Sequence, residues 1–370
     1  MRVIGIFAWL ALVGALSGAT LSNPRRIGTG FEFFVAGASN AVYAIEASSD
    51  VQNWTLVATD RQFGEVRTIS MPASAREEFY RVRLLRPLFV GAFGARESIN
   101  LAGSGVSVDS FDSRDPSYFG ADGTFDPTKA RDRGDIMTNS ALTNSLGLGN
   151  AKVRGVLHVP PGGSAVLGPG GSVGSRAWVN SGQPGIEPGH LIEGTNRVFV
   201  DAELPVGVYV TPGPGLIAGT NYTYVLSNGH YALPELMLSS SRRMAITGRA
   251  ILYVSRSVHV SAGMVIMPDA SLDMYVGAPD ASMILSAGVN QSGSAAAFAY
   301  YGLPGNVSVF IQGIGSFAAT IYAPAASVYF GGGGNDELDF SGAVVGRNIT
   351  VNGKMNVHYD ESLGVAGPAL

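Results

Sequence analysis

Hydrophobic and polar residues alternate in several short segments of the first part of the chain. The clearest examples are residues 41–47, 54–58 and 79–84. A period of two is the signature of a β-strand with one buried face. Four or five such strands, separated by turn-like stretches, predict a small β-sandwich at residues 31–86.

After Pro87 the pattern changes to short apolar runs separated by Gly, Asn, Asp and Ser, for example at residues 257–261, 271–276 and 348–351. Short parallel strands stacked round one axis need this pattern, because each corner takes a residue that tolerates a left-handed backbone. We therefore predict an all-β protein, with a Gly-rich parallel β-helix or solenoid at residues 87–370 behind the small sandwich. No fixed repeat is visible, which leaves an antiparallel sandwich as the alternative fold of the larger region.

Composition favours strands and narrows the choice of partners. The 370 residues include 50 glycines, and only 14% are charged, against about 25% in ordinary soluble domains. The formal net charge is −4, and no basic cluster occurs. Binding to nucleic acid or to a membrane surface through a polybasic stripe needs such a cluster, so neither partner is predicted.

The N-terminus has the pattern of a signal peptide at residues 1–19. Arg2 precedes an uncharged apolar run at residues 3–16, and small residues follow at 17–19. A retained membrane anchor is the alternative, but the run is shorter than the roughly 20 residues that span a bilayer. We predict a secreted, cell-surface or outer-envelope protein with no membrane span after cleavage. Residues 20–30 are predicted to be a linker, and the absence of cysteine suits a bacterial exported protein.

Residues 43–50, 53–55 and 78–82 carry a more specific pattern. They resemble the Y-x-I-E-A-S-T-D-L-x-N-W and F-Y-R motifs of a small module in secreted proteins of Verrucomicrobia and related bacteria. The resemblance implies an immunoglobulin-like or fibronectin-III-like sandwich without a known catalytic role.

A second resemblance covers residues 100–363. Its motifs lie at residues 108–113, 134–139, 148–155, 321–326, 340–346 and 357–363. Their order resembles an uncharacterised β-solenoid domain of exported bacterial proteins, some of them similar to PilX-type pilus components. The resemblance implies architecture more than activity. The prepilin leader and long N-terminal helix of the pilus proteins are not seen in this sequence.

One stretch, residues 331–339, fits the calcium-binding nonapeptide G-G-x-G-x-D-x-U-x. Asp336 and Asp339 are its candidate metal ligands, since calcium prefers hard oxygen ligands at a glycine turn. In repeat proteins each ion lies between consecutive copies, whereas this chain has one copy. Solvated acids at a solenoid corner are the alternative, and no cofactor other than calcium is considered.

Two further stretches hold residues able to do acid–base chemistry. One contains seven aspartates and four basic residues, namely Asp109, Asp112, Asp115, Asp122, Asp126, Asp132, Asp135, Arg114, Lys129, Arg131 and Arg133. The other is residues 358–361. Paired carboxylates could serve a glycosidase or hold calcium in a polysaccharide lyase, but the signature motifs of β-helix hydrolases are missing. An ion-paired surface loop or a cap on the first coil is the alternative, and the strand pattern around His259 and His358 favours hydrogen-bonded structural roles.

No catalytic residue is therefore predicted. No nucleophile elbow is present, and the Gly-rich residues 168–171 lack a Walker lysine. Five tyrosines could stack on sugar rings if they are exposed, with burial as the alternative: Tyr222, Tyr224, Tyr231, Tyr300 and Tyr301.

We predict a non-catalytic structural or adhesive protein of the envelope, matrix or a pilus-like assembly, with extracellular polysaccharide or other surface proteins as partners. The alternatives are a β-helix protein that binds or degrades carbohydrate and a polymer-forming filament component. An enzyme should gather two carboxylates within about 5–10 Å in an open groove, whereas a scaffold should leave its acids scattered or capped by arginine.

Overall fold

The computed structural model describes residues 20–27, 30–36, 42–49, 55–61, 67–72, 79–85, 88–103, 105–120, 124–286, 288–332 and 337–366. The chain divides into two compact units, Met1–Pro87 and Leu88–Pro368. The predicted signal peptide at residues 1–19 lies outside the described residues. Among the helices that are described, none is both long and apolar enough to cross a membrane.

The described residues of the first unit form six strands in two antiparallel sheets of three. The strands are β1 (Thr20–Ile27), β2 (Gly30–Ala36), β3 (Val42–Ser48), β4 (Thr55–Arg61), β5 (Arg67–Pro72) and β6 (Phe79–Leu85). The first sheet has the order β1-β2-β5 and the second the order β4-β3-β6.

The segment predicted to be a linker, residues 20–30, is instead strand β1 and the start of β2. In it, Leu21 lies opposite Val35, and the register shifts between Ser22 and Arg25. The shift admits Pro24, which reads as a turn in the sequence. A strand at the edge of a sheet tolerates proline because one of its sides needs no ladder hydrogen bonds.

The second unit is also built from strands, with very little helix. Its strands are β7 (Phe93–Asn100), β8 (Gly105–Phe111), β9 (Ile136–Thr138), β10 (Leu146–Gly149), β11 (Lys152–Arg154), β12 (Leu157–Val159), β13 (Ala165–Leu167), β14 (Ser172–Gly174), β15 (Gly185–Ile186), β16 (Leu191–Glu193), β17 (Gly215–Ile217), β18 (Thr220–Tyr222), β19 (Tyr224–Leu226), β20 (Gly229–Leu238), β21 (Met244–Ile246), β22 (Arg249–Val260), β23 (Met264–Ile266), β24 (Ser271–Val276), β25 (Asp280–Ser286), β26 (Phe298–Gly302), β27 (Ser308–Gly332), β28 (Leu338–Asn352) and β29 (Lys354–Asp360). The helices are α1 (Arg176–Asn180) and α2 (Leu363–Ala366), with 3-10 turns at Pro116–Tyr118 and Ala295–Ala297.

Eighteen of these described strands form one continuous sheet. The pairs within it are parallel, as β22–β24, β25–β27 and β28–β7 illustrate. Two neighbouring parallel strands need a crossover connection between them. Here that connection consists of further strands on the other sides of the coil, so the sheet winds round one axis. The predicted parallel, solenoid-like architecture is confirmed, and the antiparallel alternative for this region is wrong.

The order of the coils follows from one column of inward-facing residues that pair in register. The column is Tyr231, Leu252, Met274, Tyr300, Ile321, Val344, Phe93, Ile136, Leu157 and Leu191. All but the last are buried. The residue numbers rise to 344, fall to 93 and rise again, so the chain enters this coil at its middle rather than at an end.

The junction between the two halves of the coil lies where β7 pairs with β28 and β8 pairs with β29, and we call it the seam. From the seam, coils run one way through residues 136–193. The chain then returns along the outside of the coil and builds the other half, from residue 215 back to the seam. The first two strands of the larger unit therefore pair with its last two inside one sheet.

Residues 194–210 make the return and form a strap over the outside of the coils. The strap is anchored coil by coil: Asn139 Nδ2 donates to the Arg197 carbonyl over 2.5 Å, and the Tyr322 hydroxyl donates to the Val200 carbonyl over 2.6 Å. Its far end reaches the first coil of the other half, where the Val210 amide donates to the His230 carbonyl over 3.1 Å.

Beneath the strap lies an outward-facing column of four tyrosines, namely Tyr253, Tyr275, Tyr301 and Tyr322, paired in register on successive coils. Tyr275 and Tyr301 stack with their ring centroids 4.6 Å apart. Three of the four rings are almost completely buried, and the strap contacts both ends of the column, at Tyr322 through the Val200 carbonyl and at Tyr253 through the Tyr209 ring. The need to cover this apolar column explains why a segment without regular secondary structure lies on the outside of the coil.

Candidate functional site

The acidic and basic residues singled out in the sequence meet at the seam. Strand β8 runs parallel to β29, which places Asp109 beside His358 and Phe111 beside Asp360. Residues about 250 positions apart in the chain therefore share one surface. We call the group around them the seam cluster, namely Asp109, Ser110, Asp112, Ser113, Arg114, Phe125, Arg131, Arg133, Asp339, His358, Asp360 and Glu361.

His358 lies at the centre of the seam cluster, between two carboxylates. Its Nδ1 is 2.5 Å from Asp109 Oδ1, and its Nε2 is 2.8 Å from Asp339 Oδ1. The Phe125 ring stacks on the imidazole with centroids 3.5 Å apart, and His358 is only 5% exposed. Both ring nitrogens are occupied by acids, so this histidine is held as a structural cation rather than offered to a substrate.

Glu361, the next acid of the cluster, is enclosed by donors from the other side of the seam. Its Oε1 accepts from Ser110 Oγ over 2.9 Å and lies 3.1 Å from Arg131 Nε. Its Oε2 lies 3.3 Å from Arg133 Nη1. Arg131 also covers the Tyr118 ring at 4.1 Å. A carboxylate with three such partners is committed to holding the two strands together.

The carboxylates of Asp112 and Asp360 also accept several hydrogen bonds, those of Asp112 from its own loop and those of Asp360 partly from across the seam. Arg114 forms a bidentate ion pair with Asp112, in which Nε donates to Oδ1 over 2.9 Å and Nη2 donates to Oδ2 over 2.7 Å. Asp360 accepts from the Ser113 amide over 3.1 Å, from the Ser113 hydroxyl over 2.7 Å and from the Ser362 amide over 3.0 Å. Charge-assisted bonds of this kind are stronger than neutral ones, and those of Asp109, Asp360 and Glu361 join the two sides of the seam, so we call them the latch.

The remaining predicted acids do not join the cluster. Asp115 and Asp126 accept from backbone amides two residues later, over 2.9 Å each. Asp132 accepts from the Arg176 amide, and Asp135 from the Val156 amide. Lys129 donates to the carbonyl groups of Pro116 and Phe119. Asp122 lies outside the described residues.

Comparison with known proteins adds one match. Residues 213–365 match the model of a domain of unknown function, DUF7305. No curated protein matches the chain, and neither does any solved structure. The matched region covers less than half of the chain. It begins where the strap ends and contains β28 and β29, whereas their partners β7 and β8 lie outside it.

The calcium prediction rests on Asp336 and Asp339. Asp336 lies outside the described residues, and Asp339 contacts His358. In the part of the chain that the structure describes, no three His, Cys, Asp or Glu side chains are grouped to hold a metal ion. The second predicted ligand therefore has a different partner: Asp339 pairs in register with Asn356, and its carboxylate reaches the imidazole two positions further along β29.

The tyrosines considered for sugar stacking are mostly buried. Tyr224, Tyr231, Tyr300 and Tyr301 are at most 9% exposed, and Tyr222 is half-buried. The exposed rings belong instead to Phe310 and Tyr329, at 44% and 36%. Each of them alternates with buried neighbours along β27, and this alternation is the sequence signal that could have identified them.

Burial and charge move the pKa values of the seam cluster in different directions. Burial raises the pKa of Glu361, and the nearby Arg131 and Arg133 only partly offset it. Burial lowers the pKa of His358, but its hydrogen bonds to Asp109 and Asp339 outweigh this and leave the pKa above 6.5. Burial raises the pKa of Asp112, but the hydrogen bonds from Arg114 outweigh burial, and the pKa is lowered overall.

These directions predict a pH optimum of stability on the acidic side of neutrality. His358 binds its proton more tightly in the folded state, so its stabilising effect is complete below pH 6.5 and is lost as pH rises through the raised pKa. The pKa of Glu361 is also raised, so its contribution to stability likewise decreases as pH rises above the ordinary value of 4.5. The pKa of Asp112 is lowered, so its contribution is lost only as pH falls below 3.8. We expect the melting temperature to fall between mildly acidic and alkaline pH.

Substitution of Asp339 tests whether His358 causes the alkaline decline in stability. In Asp339→Asn, His358 keeps one carboxylate instead of two, so the alkaline decline should begin at lower pH. Asp269→Asn, which changes an exposed acid far from the cluster in sequence, should keep the wild-type profile. Identical profiles for all three proteins, measured by thermal unfolding from pH 4 to 9, would contradict the role of His358.

Proposed function

We propose that this chain is an exported, non-catalytic structural or adhesive protein of the bacterial cell surface, acting in the envelope, an extracellular matrix or a pilus-like assembly. The larger unit supplies a long, dry coil whose side chains pack in columns. Such a scaffold is stable because each coil covers the next, and it presents broad outer faces to partners.

The observation that carries this proposal is the state of the carboxylates. A glycoside hydrolase needs two carboxylates facing a bond in an open groove. At the seam, Asp109, Asp112, Asp360 and Glu361 are each buried and bonded to a cation or to several donors. Their partners are residues of the same coil, which supports a role in closing the coil over a role in bond cleavage.

The smaller unit fits the same proposal. We infer that its two antiparallel sheets pack as the small immunoglobulin-like or fibronectin-III-like sandwich of residues 31–86, as the motif resemblance implies. The resemblance of residues 100–363 to exported, pilus-associated solenoid proteins points to the same location. Extracellular polysaccharide and other surface proteins are the proposed partners, without a required cofactor.

Two measurements on one preparation test this proposal. Expressed in a bacterium with its own N-terminus, the full chain should be recovered outside the cytoplasm with a mass that begins at Thr20, the first residue of β1. The purified protein should release no reducing ends from neutral or acidic polysaccharides, with or without calcium. Cytoplasmic, uncleaved protein would contradict export, and calcium-dependent or calcium-independent turnover would contradict the non-catalytic role.

A filament component is a second candidate, and one end of the coil favours it. Among the described strands, β15 and β16 pair on one side only, and an open strand edge can accept another chain. The opposite end is covered, because the Val225 amide donates to the Gly213 carbonyl and the β17–β18 hairpin follows that segment. Light scattering over a range of concentrations would show dimers for pairing at one end and longer particles for a filament.

A further inference from the structure

One outward column of the coil carries an exposed aromatic pair. From one half to the other, the column contains Met237, His259, Ser282, Phe310, Tyr329, Thr350 and Asn100. Phe310 and Tyr329 stack with centroids 5.0 Å apart and planes 11° from parallel. We call these two rings and their neighbours in the column, Ser282 and Thr350, the aromatic face.

The stacking leaves one side of each ring accessible. Neighbouring strands of a sheet lie about 4.8 Å apart, so equivalent rings on adjacent coils cover each other on one side. On their other sides, Phe310 is followed in register by Ser282 and Tyr329 by Thr350. Both side chains are too short to cover a ring, which agrees with the exposure of 44% and 36%.

Hydrogen-bonding side chains flank the aromatic face on both sides. Two positions before the rings, Ser308 donates to Asp280, and Asn348 joins Ser98 and Ser327 through its amide. Two positions after the Phe310 ring, Gln312 is exposed, and Asn352 holds the equivalent place after Thr350. The rings therefore lie in a strip of amides and hydroxyls set at the spacing of the coils, and two of these groups donate to the carboxylates of Asp280 and Glu97.

We propose that the aromatic face binds a neutral, linear polysaccharide. A sugar ring has an apolar C–H side, which packs on an aromatic ring, and a rim of hydroxyls, which pair with amide and hydroxyl side chains. The aromatic face offers both within one strand width. The proposal rests on the adhesive function proposed above and gives that function a site and a ligand class.

Charge and area select this ligand over others. None of the side chains of the aromatic face is charged, and the charged groups that contact the flanking Ser308, Asn348 and Ser327 are two acids and one base, namely Asp280, Glu97 and Arg347. An acidic polysaccharide would need arginine or lysine there, since its charge must be balanced. A stable protein partner would need about 800 Å² of surface with an apolar centre, whereas Ser282 and Thr350 beside the rings are small and polar, and the exposed Ile284 lies opposite Gln312.

The test is binding of cellohexaose, xylohexaose, mannohexaose and laminarihexaose to the full chain by calorimetry, with polygalacturonate as the acidic comparison. At least one neutral hexasaccharide should bind. Phe310→Ala/Tyr329→Ala should weaken binding at least about fivefold, because both ring contacts are lost. Tyr329→Phe keeps the ring and should bind like the wild type.

The matched control is Leu216→Ala, which removes an even more exposed apolar side chain from the hairpin at the covered end of the coil. It should leave binding and melting temperature unchanged. Wild-type protein that binds no neutral hexasaccharide, or binds polygalacturonate alone, would overturn the proposal, as would full affinity in the double variant. Release of reducing ends would instead refute the non-catalytic function and leave the binding face in place.

Discussion

Replacing His358 with alanine is expected to destabilise the larger unit by about 3–5 kcal/mol, the usual cost of removing one partner of a buried ion pair. Asp109, which is only 7% exposed, would lose the cation at 2.5 Å from its carboxylate. The gap beneath Phe125 would add a loss of packing. Urea unfolding at pH 6, where the histidine is charged, measures the difference.

His259→Ala is the matched control, because His259 also lies in a strand but is exposed. Its effect should stay within about 0.5 kcal/mol. If His358→Ala does not fold, Asp109→Asn in the same background should restore part of the stability, since the buried charge is then absent. A His358→Ala protein as stable as the wild type would refute the latch at the seam.

Gly342→Ala should be the most damaging single methyl group in the second half of the coil. Gly342 has φ +150°, and a Cβ there would lie 1.8 Å from the carbonyl oxygen of Ala319 on the adjacent coil. Backbone strain alone costs about 1–3 kcal/mol, and the neighbouring strand would also have to move. We expect a total of at least about 3 kcal/mol, or a melting temperature lower by about 6–12 °C.

Gly288→Ala serves as the comparison, because a Cβ at Gly288 meets no atom within 4 Å. Calorimetric melting of both variants gives the difference directly. Equal melting temperatures for Gly342→Ala and Gly288→Ala would mean that the coils are not in the close register described. A variant that accumulates only as aggregates, beside a soluble Gly288→Ala, would support it.

The stacked parallel coils could be predicted from sequence because they depend on local pattern. Inward residues such as Leu252, Met274 and Val344 lie in short apolar runs, and the runs are separated by turn residues. The strand at Thr20–Ile27 was missed for an equally local reason, since Asn23 and Pro24 have the composition of a turn and only the pairing with β2 shows otherwise.

The strand pairing at the seam could not be predicted from local sequence pattern. The sequence marked Asp109, His358 and Glu361 as notable, but nothing local states that β8 pairs with β29 across about 250 residues. The same holds for Tyr322, whose hydroxyl donates to the Val200 carbonyl in a strap from a distant part of the chain. Residue type and periodicity identify which side chains matter, whereas long-range pairing decides what they touch.

Entry of the chain at the middle of the coil constrains the order in which the larger unit can fold. A solenoid built from one end can add each coil to the last as the nascent chain emerges. Here β7 and β8 are synthesised early, yet the strands that cover one side of them, β28 and β29, are the last of the coil to be made. Contacts so distant in sequence slow folding and leave apolar edges exposed meanwhile. The coil of β7 and β8, which has a neighbouring coil on both sides in the finished fold, is therefore the part that must wait longest for one of its neighbours.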